Sequence, residues 1–319
     1  MNFDITVVIP YYNEEKTLDT TLEIISQQTY RPKEVIFVNS SSTDASSELI
    51  EHWIDQHQGE DSCRYRNIFE NTNTPSSSKN VGIRLSQTEW VAFMDCGLLF
   101  PKDWLELQVS YLDKNGGDIV SGVCELSGVN LVDICCVVQT YGYKTKRTVV
   151  PSTLVRKSVF DMTGLFLENR RAGYDEAWRT SLIKSKIHRG LNENVIVRYN
   201  GVNYAASIYS LFKKMIKYSK PAVGIKNYYM PYIYTGIALL LSVSIFLNQN
   251  VVIWFMGAYI FGRGIVIPVI RSKGFTAFLE QPFLIFFTVP IGFVMDLGKL
   301  LGFFQGIYFY HLGGKRNLQ

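Results

Sequence analysis

Short runs of β-branched and aromatic residues alternate with helical patterns through the first half of the chain. Runs of this kind, bounded by polar turn residues, predict buried strands. Apolar residues that recur every three or four positions predict helices between them. The predicted strands are residues 5–9, 34–38, 90–94 and 118–123, and the predicted helices are residues 16–28 and 46–56. This alternation predicts an α/β fold with a doubly wound, mostly parallel sheet.

Polar residues follow three of these predicted strands. Asn13, Asn39 and Asp95 each lie just beyond the end of a strand. Ligands of doubly wound sheets bind beyond the carboxyl ends of the strands. We therefore expect the three side chains to lie in one cleft that binds a ligand.

The second half of the chain contains longer apolar segments. Residues 206–220 place apolar and lysine side chains on opposite faces of a helix. This pattern is typical of a helix in a membrane interface, and a surface helix packed on the domain produces it as well. Residues 231–247 and 251–270 are each long and apolar enough to predict a transmembrane helix.

A third apolar segment, residues 282–310, contains the charged residues Asp296 and Lys299. Charges at membrane depth are usually paired, so Asp296 is expected to pair with Lys299 or with Arg263 of the preceding segment. Lys315 and Arg316 follow this segment and favour the inside, so the sequence leaves two or three membrane crossings open. Small residues also recur at every fourth position, which predicts a face for close helix packing, at Gly298, Gly302 and Gly306.

Charge is divided unevenly along the chain. Residues 1–193 carry 26 acidic and 20 basic side chains, whereas residues 194–319 carry 2 and 12. The basic half predicts contact with anionic membrane lipid, and its long apolar runs argue against nucleic acid as the partner. Arg271 and Lys273 follow the second apolar segment. The positive-inside tendency therefore predicts a multi-pass protein of the inner (cytoplasmic) membrane with a cytoplasmic N-terminal domain.

The cysteines and the N-terminus agree with this location. The five cysteines show neither metal-ligand spacing nor a disulfide framework, and reduced thiols fit the cytosol. No export signal precedes the first predicted strand. We expect a catalytic domain over residues 1–205, an interfacial helix and linker over 206–227, and a transmembrane region over 228–319. The sequence carries no indication of an oligomeric state.

Five short blocks stand in order along the chain. They are Val7 to Glu15 (VVIPYYNEE), Val38 to Asp44 (VNSSSTD), Ser77 to Ile83 (SSKNVGI), Phe93 to Gly97 with Pro101 to Leu105 (FMDCG, PKDWL), and Arg171 to Trp178 (RAGYDEAW). Their order and spacing resemble family 2 glycosyltransferases, whose nucleotide-binding fold is called GT-A. The last block resembles the segment that holds the family's catalytic base.

The resemblance implies a role for individual residues in binding a nucleotide sugar. It implies that Asp175 is the base of a single inverting displacement, with Glu176 as the alternative. A carboxylate that only caps or faces solvent on a helix would have the same place in the sequence. The implied nucleotide-sugar-binding residues are Pro10, Tyr11, Asn13, Glu14, Asn39, Ser41, Lys79 and Asp95.

The chain departs from the family pattern at three places. Asn39 and Ser40 stand where the family commonly has two aspartates, and Lys79 stands where arginine is frequent. The Asp-x-Asp motif keeps only its first carboxylate, Asp95, because Gly97 replaces the second. Asp95 and the donor's own oxygens are therefore the expected ligands of a Mg²⁺ or Mn²⁺ ion.

The segment on the C-terminal side of the base indicates the acceptor. The Gln-x-x-Arg-Trp motif of processive synthases is absent, and residues 211–218 resemble the interfacial segment of non-processive relatives. We expect transfer of one sugar to a polyprenyl-linked acceptor in the synthesis of a cell-surface polysaccharide or glycoconjugate. Two alternatives remain open, namely a non-catalytic GT-A membrane protein that binds a nucleotide or a partner, and a processive polysaccharide synthase.

Overall fold

The computed structural model describes residues 3–59, 62–168, 170, 173–202, 207–224, 229–247 and 249–311. The chain divides into two compact units. The first, called the sheet unit, consists of Met1–Glu125 and Lys146–Asn200. The second, called the helical unit, consists of Leu126–Thr145 and Gly201–Gln319. Residues 126–145, which the expected catalytic domain included, thus cluster with the C-terminal part of the chain.

Nine strands form one sheet in the described part of the chain. They are β1 (Ile5–Tyr11), β2 (Glu34–Asn39), β3 (Arg64–Phe69), β4 (Trp90–Phe93), β5 (Leu98–Leu99), β6 (Ile119–Gly128), β7 (Lys146–Thr148), β8 (Leu154–Arg156) and β9 (Gly190–Val202). Their spatial order is β3-β2-β1-β4-β8-β6-β9-β5, and β7 pairs with β6.

The first four strands of this order pair in parallel. Thr6 of β1 is in register with Glu34 of β2, and Ile5 of β1 is in register with Trp90 of β4. Strand β8 lies antiparallel to both β4 and β6, and β5 lies antiparallel to β9. The predicted α/β sheet is confirmed, but it is mixed and not mostly parallel. The apolar pattern of a strand shows that it is buried and does not show its direction.

Thirteen helices lie in the described residues. They are α1 (Leu18–Ser26), α2 (Ser46–His57), α3 (Pro75–Leu85), α4 (Trp104–Asn115), α5 (Leu131–Thr140), α6 (Val159–Thr163), α7 (Tyr174–Lys184), α8 (Ile208–Ser219), α9 (Met230–Leu247), α10 (Gln249–Phe261), α11 (Ile267–Ser272), α12 (Thr276–Glu280) and α13 (Leu284–His311). A 3₁₀ turn, Lys220–Gly224, follows α8, and a π-helical turn, Gly262–Val266, joins α10 to α11.

The sheet has a hydrophobic core on each of its two faces. Alternate side chains of β1 enter opposite cores, with Val7 and Ile9 on one face and Val8 on the other. All seven residues of β1 are buried. A strand covered on both faces is apolar at every position, which is why β1 and β2 could be predicted from their composition.

In the helical unit, α13 packs closely against α8 along the glycine face. A Cβ atom at Gly298 would lie 2.7 Å from the Met215 Cβ, and one at Gly302 would lie 2.7 Å from the Ile216 carbonyl oxygen. Only glycine permits backbones to approach so closely. The predicted packing role of these glycines is confirmed. The apolar face of α8 is therefore covered by protein, since Leu211 and Met215 are buried.

Two helical segments in the described residues are long and apolar enough to cross a membrane, Val252–Ser272 and Leu284–His311. They correspond to the second and third predicted apolar segments, and α9 corresponds to the first. Large apolar side chains are exposed along all three, including Leu240, Trp254 and Phe286.

The predicted pairing of Asp296 is resolved in favour of Arg263. The Arg263 guanidinium donates two hydrogen bonds of 2.7 Å to the Asp296 carboxylate. Lys299 lies farther away, with its Nζ 3.8 Å from Asp296 Oδ1.

Candidate active site

Two asparagines hold the loops that follow β1 and β2, Asn13 between the two loops and Asn39 within the second. Asn13 has a left-handed backbone with φ of 54°, a conformation that asparagine adopts more readily than most residues. Its side-chain oxygen accepts a hydrogen bond of 2.8 Å from the Thr43 amide. Asn39 accepts a hydrogen bond of 2.7 Å from the Ser42 amide. Both predicted ligand residues therefore use their side-chain oxygens to hold the loops in place.

Between these loops and β4 lies a cavity of about 270 Å³. Four of the predicted nucleotide-sugar residues, Pro10, Tyr11, Glu14 and Asp95, lie on its wall. The remaining four, Asn13, Asn39, Ser41 and Lys79, are outside its described lining. The lining residues are Pro10, Tyr11, Tyr12, Glu14, Ser40, Asn73, Pro75, Asp95, Cys96, Leu98 and Tyr199.

Lys79 is held under the cavity by an ion pair with Asp95. The Lys79 side chain is fully buried, and its Nζ lies 2.5 Å from Asp95 Oδ1. The ammonium also lies 5.7 Å from the centre of the Tyr174 ring. Burial is the largest single influence and would lower the pKa of Lys79, but the charges and hydrogen bonds of Asp95 and Tyr174 together raise this pKa well above its ordinary value. Lys79 is therefore a permanent cation that fixes one oxygen of Asp95.

Glu14 and Asp95 are the two carboxylates on the cavity wall. Burial raises the pKa of Glu14, and the nearby Asp95 charge raises it further, against the lowering effect of a hydrogen bond from Thr17. Among the described residues, one oxygen of each carboxylate has a hydrogen-bond partner, Thr17 for Glu14 and Lys79 for Asp95.

Glu14 and Asp95 are the cavity residues that could hold a divalent cation shared with a ligand. No group of three or more His, Cys, Asp or Glu side chains converges as a metal site within the described part of the chain. A second oxygen of Glu14 and of Asp95 remains for a hard cation, which tolerates ligand and water oxygens in its remaining positions. The residues thus fit a Mg²⁺ or Mn²⁺ ion that a phosphate-bearing ligand helps to hold.

The two candidate bases lie in the first turn of α7. Both Asp175 and Glu176 are exposed. The Arg179 guanidinium donates to both oxygens of Glu176, at 2.5 Å and 2.8 Å, and this hydrogen bonding lowers the pKa of Glu176. A carboxylate held by a bidentate arginine is a weak proton acceptor. Asp175 makes no such pair among the described residues and is the better placed of the two.

Tyr174 connects α7 to the ion pair. Its ring packs at 5.6 Å from the Phe166 ring, and burial raises the pKa of its hydroxyl to about 12, against the lowering effect of Lys79. A neutral tyrosine against Lys79 places the start of α7, and with it Asp175, on the side of the sheet unit where the Lys79–Asp95 pair lies.

Several cavity residues were missed by the sequence analysis. Ser40 was noted only as a departure from the family, yet it lines the cavity, and its Oγ lies 2.5 Å from Ser78 Oγ. Asn73 and Pro75 precede a recognised block by a few residues. Tyr199 comes from β9, far along the chain, and no local pattern distinguishes it from other strand tyrosines.

Comparison with known proteins defines the class. Residues 6–134 match the family described as Glycosyl transferase family 2. The chain therefore contains a family 2 glycosyltransferase domain, and the family predicted from the sequence blocks is confirmed.

Two relatives named as glycosyltransferases match large parts of this chain. An uncharacterized glycosyltransferase of Rickettsia bellii is 26% identical over 233 residues, which are 70% of this chain and 32% of the relative. Glycosyltransferase AglE of Haloferax volcanii is 29% identical over 189 residues, which are 54% of this chain and 59% of the relative. The chain spans about a third to a half of the length of the first relatives that it matches.

A solved structure shows the same fold. The mannosyltransferase PcManGT of Pyrobaculum calidifontis, determined with GDP-Man and Mn²⁺, matches 97% of this chain and 88% of its own chain, with a TM-score of 0.59 and 16% identity. The GT-A fold implied by the sequence blocks is thus confirmed.

Proposed function

We propose that this protein is an inverting glycosyltransferase that moves one sugar from a nucleotide-sugar donor to a lipid-linked acceptor at a membrane. The observation that carries the proposal is the cavity at the ends of β1 and β4, where Glu14 and Asp95 both lie on the wall and Asp95 pairs with the buried Lys79. It lies where ligands of such sheets bind. The relatives named as glycosyltransferases support the same activity.

Each residue has a defined part in this reaction. Pro10 and Tyr11 wall the nucleoside, while Asn13, Asn39 and Ser41 fix the loops around it. Asp175 takes the proton from the acceptor hydroxyl as its oxygen attacks the anomeric carbon from the face opposite the diphosphate. The bond to the diphosphate breaks, and the sugar's configuration inverts.

The charge balance of the cavity supports a divalent cation. Lys79 neutralises the charge of Asp95, so the carboxylate of Glu14 gives the cavity wall a negative charge. This charge repels an anionic diphosphate. Asp95 and Glu14 would hold a Mg²⁺ or Mn²⁺ ion, and the ion would stabilise negative charge on the departing diphosphate. The solved neighbour was determined with Mn²⁺ and GDP-Man, which agrees with this inference.

A membrane location is part of the proposal. Two apolar helical segments and the exposed apolar side chains of α9, α10 and α13 favour a protein embedded in the cytoplasmic membrane. The charge distribution favours a sheet unit on the cytoplasmic side, where nucleotide sugars are available. A membrane anchor raises the local concentration of a lipid-linked acceptor, so a polyprenyl-linked acceptor is favoured.

Thermal unfolding of the full chain with UDP-, GDP- and dTDP-sugars, each with and without Mn²⁺, tests donor binding. One nucleotide class should raise the melting temperature, and Mn²⁺ should increase the shift. Protection by none of the donors contradicts the proposal. If the donor raises the melting temperature equally with Mn²⁺ and with a chelator, the result contradicts the proposed cation and leaves donor binding standing.

Two other functions give different results in the same assays. A non-catalytic binding protein would be protected by a donor and would show no transfer or hydrolysis of it. A processive synthase would release a long polymer, whereas we expect one added sugar per acceptor molecule.

A further inference from the structure

The helical unit contains a cation whose charge is incompletely matched. Lys299 lies on α13 with three quarters of its side chain buried. Its Nζ is 3.8 Å from Asp296 Oδ1, which is beyond hydrogen-bond distance. An ammonium group carries three donors. Within the described ranges of the chain, no acceptor lies within hydrogen-bond distance of the Lys299 ammonium.

Asp296 is already engaged by other groups. Arg263 donates to both of its oxygens at 2.7 Å, and the Tyr259 hydroxyl donates to Oδ2 at 3.1 Å. The guanidinium matches the carboxylate in a fork geometry that a lysine cannot displace. The group formed by Arg263, Asp296 and Lys299, here called the Lys299 cluster, therefore keeps one net positive charge.

Such a charge is costly in apolar surroundings. Apolar side chains of α13 flank Lys299, among them the exposed Leu297 and Leu301. A buried charge normally finds a partner or marks a functional site. The π-helical turn that carries Arg263 is a second local irregularity of the kind that is frequent at functional sites.

The packing of α13 places Lys299 level with α8. A Cβ atom added at Gly298, the preceding residue, would meet the Met215 Cβ and the Phe212 carbonyl oxygen of α8. The opposite face of α8 exposes Lys213 and Lys217. Because its apolar face packs on α13, α8 presents these lysines outward, and lysines beside a membrane-embedded helix favour the depth of anionic lipid headgroups. Lys299 is then also near the headgroups, with its ammonium partly accessible.

We propose that the Lys299 cluster binds the phosphate group of an isoprenoid lipid, which is the anchor end of the lipid-linked acceptor. This inference rests on the proposed function, which requires an acceptor of that class. Phosphate oxygens accept the hydrogen bonds that the Lys299 ammonium lacks and balance the net charge of the cluster. The Arg263–Asp296 pair holds the cluster in position.

Binding of farnesyl phosphate to the full chain in phosphatidylcholine nanodiscs tests this site. Replacing the ammonium by an amide in Lys299→Gln should weaken binding roughly tenfold or more, because a charge-assisted hydrogen bond is lost. Lys299→Arg keeps the charge and should retain most of the affinity. The matched control is Lys213→Gln, which removes an exposed lysine of α8 and should leave the affinity within about twofold.

Competition separates the sources of the phosphate. Farnesol and inorganic phosphate should each compete poorly, because the first lacks the charge and the second lacks the chain. Equal competition by inorganic phosphate would mean a site for free phosphate and would contradict the proposal. Equal binding of farnesol, or an unchanged affinity in Lys299→Gln, would also contradict the proposal. Phosphatidylglycerol that displaces the bound lipid as effectively as farnesyl phosphate does would contradict it as well.

Donor protection in the same preparations separates this inference from the proposed function. Lys299→Gln should keep the full thermal shift with the nucleotide sugar, which also shows that it is folded. If the wild type turns over the donor but does not bind farnesyl phosphate, the result overturns only the lipid-phosphate site. Wild type that binds no donor overturns the proposed function, whatever the lipid result.

Discussion

The ion pair between Lys79 and Asp95 shows how burial changes the meaning of a motif residue. The resemblance to the family implied a lysine near the donor phosphates and a carboxylate for a metal ion. In the structure the lysine is fully buried and donates to the carboxylate at 2.5 Å. Lys79 thus positions Asp95 at the cavity wall.

Breaking this pair should destabilise the protein. Lys79→Met leaves Asp95 without its partner, and we expect a loss of about 2–3 kcal/mol, below the range for fully buried pairs because Asp95 is partly exposed. The double variant Lys79→Met, Asp95→Asn removes both charges and should recover part of the loss. Denaturant unfolding of the wild type, the two single variants and the double variant gives the coupling energy. Additive losses would show that the pair contributes nothing to stability.

Glu176 and Asp175 are adjacent in sequence and differ in their partners. Arg179 occupies both oxygens of Glu176. We therefore expect Glu176→Gln to lower the transfer rate by less than about tenfold, far less than the loss of a general base. Steady-state rates at saturating donor provide the measurement. A loss of roughly a thousandfold in Glu176→Gln, within the range for a general base, would transfer that role to Glu176.

At the scale of single residues, the sequence indicated which loop a residue occupies better than it indicated the direction of its side chain. The blocks brought Pro10, Tyr11, Glu14 and Asp95 to one cavity, and whether they bind a donor stays a prediction. The side chains of Asn13 and Asn39 instead bond to the loop after β2. A motif indicates which loop a residue occupies. The direction of its side chain depends on hydrogen bonds formed only after the loops meet.

Among the elements, α13 shows what periodicity can and cannot predict. The four-residue spacing of its glycines predicted a close packing face, and the structure shows that face against α8 and the 3₁₀ turn. The identity of the partner was not predictable, because any helix with an accessible backbone would satisfy the same spacing. Similarly, β3 has the mixed burial of a sheet edge, and its polar residues conceal it from a hydrophobic pattern.

A bulky side chain at this contact should separate the helices. Gly302→Leu places atoms against the Ile216 carbonyl and Ser219, and we expect a destabilisation of about 1–3 kcal/mol from overpacking. The matched control is Gly257→Leu in α10, where nothing lies within 4 Å of the added Cβ, and leucine should be neutral or stabilising there. Melting temperatures in one detergent compare the two. Equal shifts would argue against the packing of α13 on α8.

For the molecule as a whole, the boundary in charge differs from the boundaries of the two units. Most of the sheet unit lies in the acidic residues 1–193, and most of the helical unit lies in the basic, apolar residues 194–319. Residues 126–145 lie within the acidic half and still cluster with the C-terminal helices. Their apolar helix α5, with Cys135 and Cys136 buried, packs against α13 through contacts distant in sequence, which no local pattern reveals.

The exposed apolar surface of the helical unit predicts integral association with membranes. After expression of the full chain, we expect it to remain in the membrane pellet through washes with high salt and alkaline carbonate, because neither removes apolar side chains from lipid. Immunoblotting of pellet and supernatant provides the measurement. Release by salt alone would indicate attachment through the basic residues and contradict the transmembrane helices.

The central claim is that Asp175 removes the acceptor proton while the cavity beside Asp95 holds the donor. The most direct test is the rate of sugar transfer to a polyprenyl-linked oligosaccharide, whose attacking group is a hydroxyl, by wild type and Asp175→Asn, with donor protection measured on both. We expect the rate to fall by roughly 10²- to 10⁴-fold with the donor-induced thermal shift unchanged. Transfer by Asp175→Asn at the rate of the wild type would contradict the claim.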